Sequence, residues 1–192
     1  MRRILIGIWM LLLSACAHHA PPQNTTVDVP NAFRAHQKSL LEQNHWKVRG
    51  HILIQTPEKS QRVRVHWQQE GMHTHLSLMG PFGSHKSELI ITPEGAEWVS
   101  KDARHTTTDL AQFMATQGWP IPMNEALSWL RGLPGQKATH MVWYTDGTLQ
   151  QLEESGWQIQ YSDYRDELPR YPQKILLTKE ALKVTISFQD WE

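Results

Sequence analysis

Cys16 carries the only thiol in this chain of 192 residues, within the stretch Leu13-Ser14-Ala15-Cys16. A thiolate is the best side-chain nucleophile for forming a thioether. With no second cysteine, an internal disulfide is excluded. Other chemistry is sparse. His73 and His75 share one face of a candidate strand, with His66 and His85 elsewhere in the same region. An H-x-H pair can ligate zinc, but no third ligand stands at a diagnostic spacing, so no metal is expected. G-x-S-x-G, H-E-x-x-H and the P-loop are all absent from the sequence. The serines and aspartates form no triad visible in sequence, although a triad assembled only in space stays open. The expectation is no catalytic residue, no enzyme and no cofactor other than covalent lipid.

The residues before Cys16 explain its position. Arg2 and Arg3 lead, Ile4 to Leu13 form an apolar run of ten, and Ser14 and Ala15 are small. Charged, apolar and small segments in that order make a secretory signal. A spanning helix needs about 20 apolar residues for ~30 Å of hydrocarbon, twice what is present, and no later stretch is long or apolar enough. Residues 1–15 therefore read as a signal peptide. Leu13-Ser14-Ala15-Cys16 resembles the bacterial lipobox, in which the sulfur receives a diacylglyceryl group and the new terminal amine is acylated. Removing Arg2 and Arg3 with the leader leaves 17 Lys and Arg against 19 Asp and Glu. That balance argues against a nucleic-acid partner and provides no polybasic patch, so the acyl chains must supply the anchoring. Each buried CH₂ contributes about 0.8 kcal/mol, and two or more chains hold stably.

Residues 17–30, rich in proline and polar side chains, read as a tether that extends to roughly 45–50 Å at most. The lipidated cysteine and tether span 16–30, and 31–192 suit one domain with one core. Asn31 is placed to cap a helix to Asn44 whose apolar face comprises Phe33, Gln37, Leu40 and Leu41. The period then changes to two: Trp46, Val48, Gly50, Ile52 and Ile54, then Val63, Val65 and Trp67, alternate with polar residues. Further strands are expected at 73–79, 87–92, 96–100 and 104–107, and again at 141–144, 148–154, 157–163, 173–179 and 182–190. Asp146-Gly147 and Ser155-Gly156 are antiparallel turn signals. Between the two groups of strands lie two short helices. The first is in 109–118, stopped by Gly118. The second is in 124–132, capped by Asn124 and ended by Gly132 with Pro134 beyond. The chain is thus mainly β, an unclosed antiparallel β-barrel of about eleven strands with helices over an opening. No βαβ alternation supports a parallel sheet.

Nine tryptophans are present, and eight remain once Trp9 leaves with the leader. Any one of them can be ordinary core. Together they suit a curled sheet around a ligand cavity, since an indole offers wide apolar area and one N–H. In the stretch 76–89, Leu76 and Leu78 close one strand and Gly80-Pro81-Phe82-Gly83 forms a tip with a bare ring. A tip ring can fold back onto its sheet; it can also project as a wedge toward a bilayer or partner.

Several motifs together resemble the outer-membrane lipoprotein receptor LolB family. They are the lipobox at 13–16, W-K-V-R-G at 46–50, H-W-Q-Q at 66–69, G-P-F-G at 80–83 and G-W-P-I-P at 118–122. L-S-W-L-R-G-L-P-G at 127–135, G-W-Q-I-Q-Y at 156–161 and Q-D-W at 189–191 complete the set. The resemblance implies a LolA/LolB-like fold, an unclosed barrel with a helical lid over an apolar cavity. It implies a monomeric receptor that accepts triacylated lipoproteins from the periplasmic carrier LolA and inserts them into the outer-membrane leaflet. By the same resemblance Pro81, Phe82 and Gly83 form the membrane-insertion loop, with phenylalanine where the family usually has leucine. Trp67, Trp129 and Trp157 fall in family motifs as cavity-wall candidates, joined by Leu76 and Leu78. Ala17 is not the aspartate that marks inner-membrane retention, which favours the periplasmic face of the outer membrane. The alternatives are a lipoprotein that binds another lipid or amphiphile in such a cavity and a structural envelope-assembly lipoprotein. If the anchor only keeps the protein at its membrane, a chain lacking Cys16 should still accept and deliver cargo, with less selectivity for the receiving membrane. Transfer assays that mix inner- and outer-membrane vesicles measure this, and complete loss of transfer would place Cys16 in the mechanism itself.

Overall fold

The computed structural model describes residues 31–80, 86–116 and 121–192. The stretches read as signal peptide and tether, Cys16, the loop residues Pro81, Phe82 and Gly83, and Gly118, read as a helix stop, lie outside the described residues. Helix α1 (Asn31–Glu42) leads into β1 (His45–Gln55), β2 (Ser60–Glu70), β3 (His73–Met79), β4 (Ser87–Thr92), β5 (Gly95–Ser100) and β6 (Arg104–Thr107). Two short helices follow, α2 (Leu110–Thr116) and α3 (Met123–Trp129). Strands β7 (Ala138–Trp143), β8 (Leu149–Glu154), β9 (Trp157–Tyr164), β10 (Pro172–Lys179) and β11 (Leu182–Trp191) complete the chain.

All eleven strands join one antiparallel sheet in the order β6-β5-β4-β3-β2-β1-β11-β10-β9-β8-β7. It consists of two meanders, sewn together where β1 pairs β11. Strand alternation puts Trp46, Val48 and Ile52 of β1 and Val63, Val65 and Trp67 of β2 inside, with arginines and lysine outside. Ser155 and Gly156 both adopt positive φ, 53° and 79°, in the two-residue turn between β8 and β9, as such hairpin turns require. The end strands β6 and β7 are not paired with each other, so the sheet stays open. Because α2 and α3 lie between those two edges in sequence, the chain must cross the opening there.

Two expectations need correction. The inward face of α1 is Phe33, His36 and Leu40, whereas Leu41 is 60% exposed. His36 faces inward because its Nε2 lies 2.9 Å from the Arg170 carbonyl; burial holds the imidazole below its ordinary pKa, in its neutral form. Asn124 does not cap α3. The first helical hydrogen bond runs from Ala126 N–H to the Pro122 carbonyl, so Pro122 is the N-cap and Asn124 stands exposed in the first turn. The cap that does form belongs to α2, where the Asp109 carboxylate accepts from the Gln112 N–H at 3.0 Å.

The exit from α3 follows the sequence. Gly132 takes φ +75°, its N–H donates to the Trp129 carbonyl, and the Leu133 N–H reaches back to Ser128. This is a Schellman motif, which glycine fits because it has no Cβ. Beyond it the chain is held by a carboxylate the sequence did not mark. Glu154, at the end of β8, is only 2% exposed. It accepts from Trp129 Nε1 at 2.8 Å, the Gly135 N–H at 2.9 Å and the Lys137 N–H at 2.9 Å. A Cβ on Gly135 would overlap that carboxylate, so only glycine allows the approach.

A buried donor left without its acceptor costs about 1–3 kcal/mol. Glu154→Ala strands three donors and should lower stability by about 3 kcal/mol or more, with Gly135→Ala also destabilising through collision. Urea denaturation with an unchanged m value measures both effects. If Glu154→Ala stays within about 1 kcal/mol of the parent, water has replaced the carboxylate.

Candidate functional site

The interior of the curled sheet holds an apolar chamber beneath α3. Ile52 of β1 and Val65 and Trp67 of β2 form one wall; Ile175 and Leu177 of β10 with Ile186 and Phe188 of β11 form the other. The roof is Ile121 together with Met123, Ala126, Trp129 and Leu130. The roof residues recur at helical spacing on the buried side of α3, which is how a helix presents one stripe to a core. Every lining residue is apolar. In this closed arrangement the empty space at the centre is about 20 Å³, the room of about one water molecule. A space of that size has no room for a ligand of several carbon atoms unless α3 and its side chains move aside.

Trp67 and Trp129 both line the chamber. Trp157 is buried behind them, its ring centre 6.2 Å from that of Trp129, and does not border the space. Leu76 and Leu78 are buried in the same core from β3, also away from the chamber lining. The lining residues not among the sequence candidates are Ile52 of β1, Val65 of β2, those of β10 and β11, and the rest of the roof. Alternation marked Ile52 and Val65 as inward, but only the curling of the sheet brings β10 and β11 against β2 and α3.

The aromatic residues divide by their polar atoms. Trp129 donates to Glu154, and Trp191 Nε1 donates to the Pro172 carbonyl at 3.2 Å. The buried Nε1 atoms of Trp46 and Trp67 have no partner among the described residues. Trp191 stacks on Tyr171 with ring centres 4.1 Å apart and lies edge-on to Phe188 at 5.0 Å. A shifted register opposite Arg49 and Gly50 sets this cluster: Arg49 faces Asp190 but Gly50 faces Phe188. The extra residue, Gln189, turns Trp191 inward with Phe188, where strict alternation would have faced it to solvent.

The candidate metal ligands remain outside. His73 and His75 are exposed on β3, and His75 Nε2 lies 3.7 Å from a Glu88 oxygen of β4. Among the described residues no three metal-ligating side chains come together. No helix among them is long and apolar enough to cross a membrane.

The chain resembles known proteins in sequence and in fold. The chain is 30% identical over 191 residues to the outer-membrane lipoprotein LolB of Aeromonas hydrophila, covering 95% of this chain and 92% of that one. It is 28% identical over 193 residues to the LolB of Tolumonas auensis, with the same coverage of 95% and 92%. Among solved structures, a LolA superfamily protein from Nitrosomonas europaea superimposes with a TM-score of 0.55 over 84% of this chain and 91% of that one. At 9% identity that likeness concerns the fold. The family model described as outer membrane lipoprotein LolB matches residues 44–191, from the start of β1 to the end of β11. With the whole barrel inside that match, the chain belongs to the LolB family of outer-membrane lipoproteins.

Proposed function

We propose that this protein is the outer-membrane receptor that takes triacylated lipoproteins from the periplasmic carrier LolA and inserts them into the outer-membrane leaflet. The observation that carries this reading is the wholly apolar chamber roofed by α3. Acyl chains in water cost about 0.8 kcal/mol per CH₂, so passage between two membranes needs a dry container. Release needs a container that binds the chains less well than a bilayer does. A chamber that must displace its own roof to be filled meets both conditions, because closing the roof again favours expulsion. No nucleotide site is required, since transfer runs toward the phase that buries the chains best.

Cys16, carrying S-diacylglycerol and an N-acyl chain, holds the domain at the periplasmic face through the tether of residues 17–30. Phe82, between β3 and β4 with Pro81 and Gly83 on either side, is the proposed wedge into the leaflet. Its apolar ring partitions into the acyl boundary, and the adjoining strands bring the chamber with it.

The test is transfer of a lipoprotein from LolA to outer-membrane vesicles with the protein present or absent; equal rates would end the proposal. Ala126→Trp fills the roof side of the chamber and should reduce cargo acceptance by about tenfold or more while the far-ultraviolet spectrum of the barrel is retained. Phe82→Glu should leave acceptance intact and block delivery. Delivery at the normal rate in that variant would remove the wedge from the mechanism.

A further inference from the structure

A second pocket, of about 250 Å³, lies on the other side of α3 and differs in character. Gln43 and Asn44 beyond α1, Trp46 of β1, Gln69 of β2, and Ser128 and Arg131 border it. The two spaces share their partitions. Met123, Ala126 and Trp129 of α3 face the apolar chamber, while Leu127 and Ser128 face the polar pocket. On the strand side the partition is an aromatic pair, Trp67 toward the chamber and Trp46 toward the pocket, with ring centres 6.1 Å apart. The two spaces are thus separated by the thickness of α3 and of this aromatic pair.

Among the described residues, Arg131 is the only cation bordering the pocket, and no acidic residue borders it. Its Nη1 donates to the carbonyls of Leu40 and Gln43 at 3.2 and 3.0 Å, at the C-terminal end of α1, where backbone carbonyls run short of helical partners. Those two bonds fix the plane of the guanidinium. Its Nε and Nη2 donate to nothing among the described residues, and no carboxylate pairs with it there. That remaining edge is one of the forks on which arginine binds an oxyanion through two parallel hydrogen bonds. The guanidinium is half-buried, and lost hydration pushes its pKa below the ordinary value, opposed in part by the Tyr171 phenol, with no carboxylate contributing. Cations withdrawn from water are ordinarily paired. Here the orienting contacts are made and the pairing partner is missing. Leu41, which also borders the pocket, is 60% exposed, and Met72, next to the bordering Gly71, is 73% exposed. They give the pocket an apolar lip.

We infer that the Arg131 pocket is the polar-end subsite of the chamber, receiving the oxyanion of an acylated ligand while its acyl chains lie beneath α3. The inference rests on the reading of the chamber as an acyl-chain container. Two sources carry this chemistry: a carboxylate on the peptide next to an acylated cysteine, and the phosphodiester of a phospholipid. The open pocket suits the first, because a cargo chain has to leave the site on its polar side.

The experiment uses the full chain in phosphatidylcholine nanodiscs, with quenching of Trp67 and Trp129 fluorescence as the readout. The probes are ω-bromododecanoate and its methyl ester at about pH 9, where the acid is ionised; they share one chain and differ in charge. The acid should bind about tenfold more tightly than the ester after correction for partition into empty discs. Ser128→Glu sets a carboxylate beside Arg131 without touching its bonds to α1, and Arg131→Gln removes the cation. Both should bring the acid-to-ester ratio to about one while ester binding, which reports a folded chamber, persists. A ratio near one in the parent protein, or a ratio unchanged by Ser128→Glu, overturns the subsite. Quenching by neither probe would instead overturn the acyl-chain reading of the chamber. Triacylated lipopeptides with Asp or Asn after the cysteine, and bromoacyl phosphatidylglycerol against bromoacyl phosphatidylcholine, identify the source by which pair shows the Arg131-dependent preference. A preference in neither pair overturns the assignment.

Discussion

The sheet ends in two edges, β6 and β7, that do not pair, and the chain has to pass from one to the other through residues 108–137. Everything distinctive about the molecule follows from that gap. Had β6 and β7 joined, the ladder would have closed a barrel walled all round by backbone hydrogen bonds. Instead the opening is covered by short helices whose contacts with the sheet are side-chain contacts. Apolar contacts of that kind are non-directional and can be exchanged for others. A roof held this way can be displaced more readily than a ladder of backbone hydrogen bonds.

What keeps the roof in place is concentrated at one end of it. The Trp129 indole and the Gly135 and Lys137 amides converge on Glu154, the Schellman turn closes over Gly132, and Arg131 ties the same segment to α1. These are directional bonds, and each loses its value if the segment shifts by about an ångström or two. The other end of α3, around Met123, is held by apolar packing and has no side-chain cap. Displacement is consequently easiest at the N-terminal side of α3, with the Trp129–Glu154 end acting as the fixed point. The motif L-S-W-L-R-G-L-P-G thus acquires a physical reading. Trp129, Leu130 and Leu133 face the chamber or core, Leu127 borders the polar pocket, arginine caps α1, and the two glycines serve a turn and a close approach.

The strands were legible because their residues alternate. Trp46, Val48 and Ile52 against Lys47, Arg49 and His51 specify both a strand and its inward face, and that information is local. Asp146-Gly147 and Ser155-Gly156 marked their turns for an equally local reason, the need for positive φ. Gly132 ended α3 as read. The errors fall where a local rule competed with a distant partner. Leu41 lost its inward place to His36 because the Arg170 carbonyl, 134 residues away in sequence, waits for an imidazole nitrogen. Trp191, just past the strand read as 182–190, faces inward because of an extra residue in β11 that depends on how β1 pairs with it. Glu154 shares the inward phase of Leu152 on β8, and a charged residue on an apolar phase was its one available signal.

By itself, the sequence determined the strand set, the turn positions and the place where helices interrupt the sheet. The position of the single thiol, Cys16, is equally plain from the sequence; each of these features depends on residues within a few positions of one another. The tertiary structure alone decided which core residues border the chamber and which merely support it. Leu76, Leu78 and Trp157 are as apolar as Ile175 or Ile186 and are buried like them, and strand alternation treats them alike. The distinction arises from the curvature of the sheet and from the crossing of α3. Those depend on contacts between residues far apart in the chain, and they also set the Glu154 and Arg131 sites on the two sides of one helix.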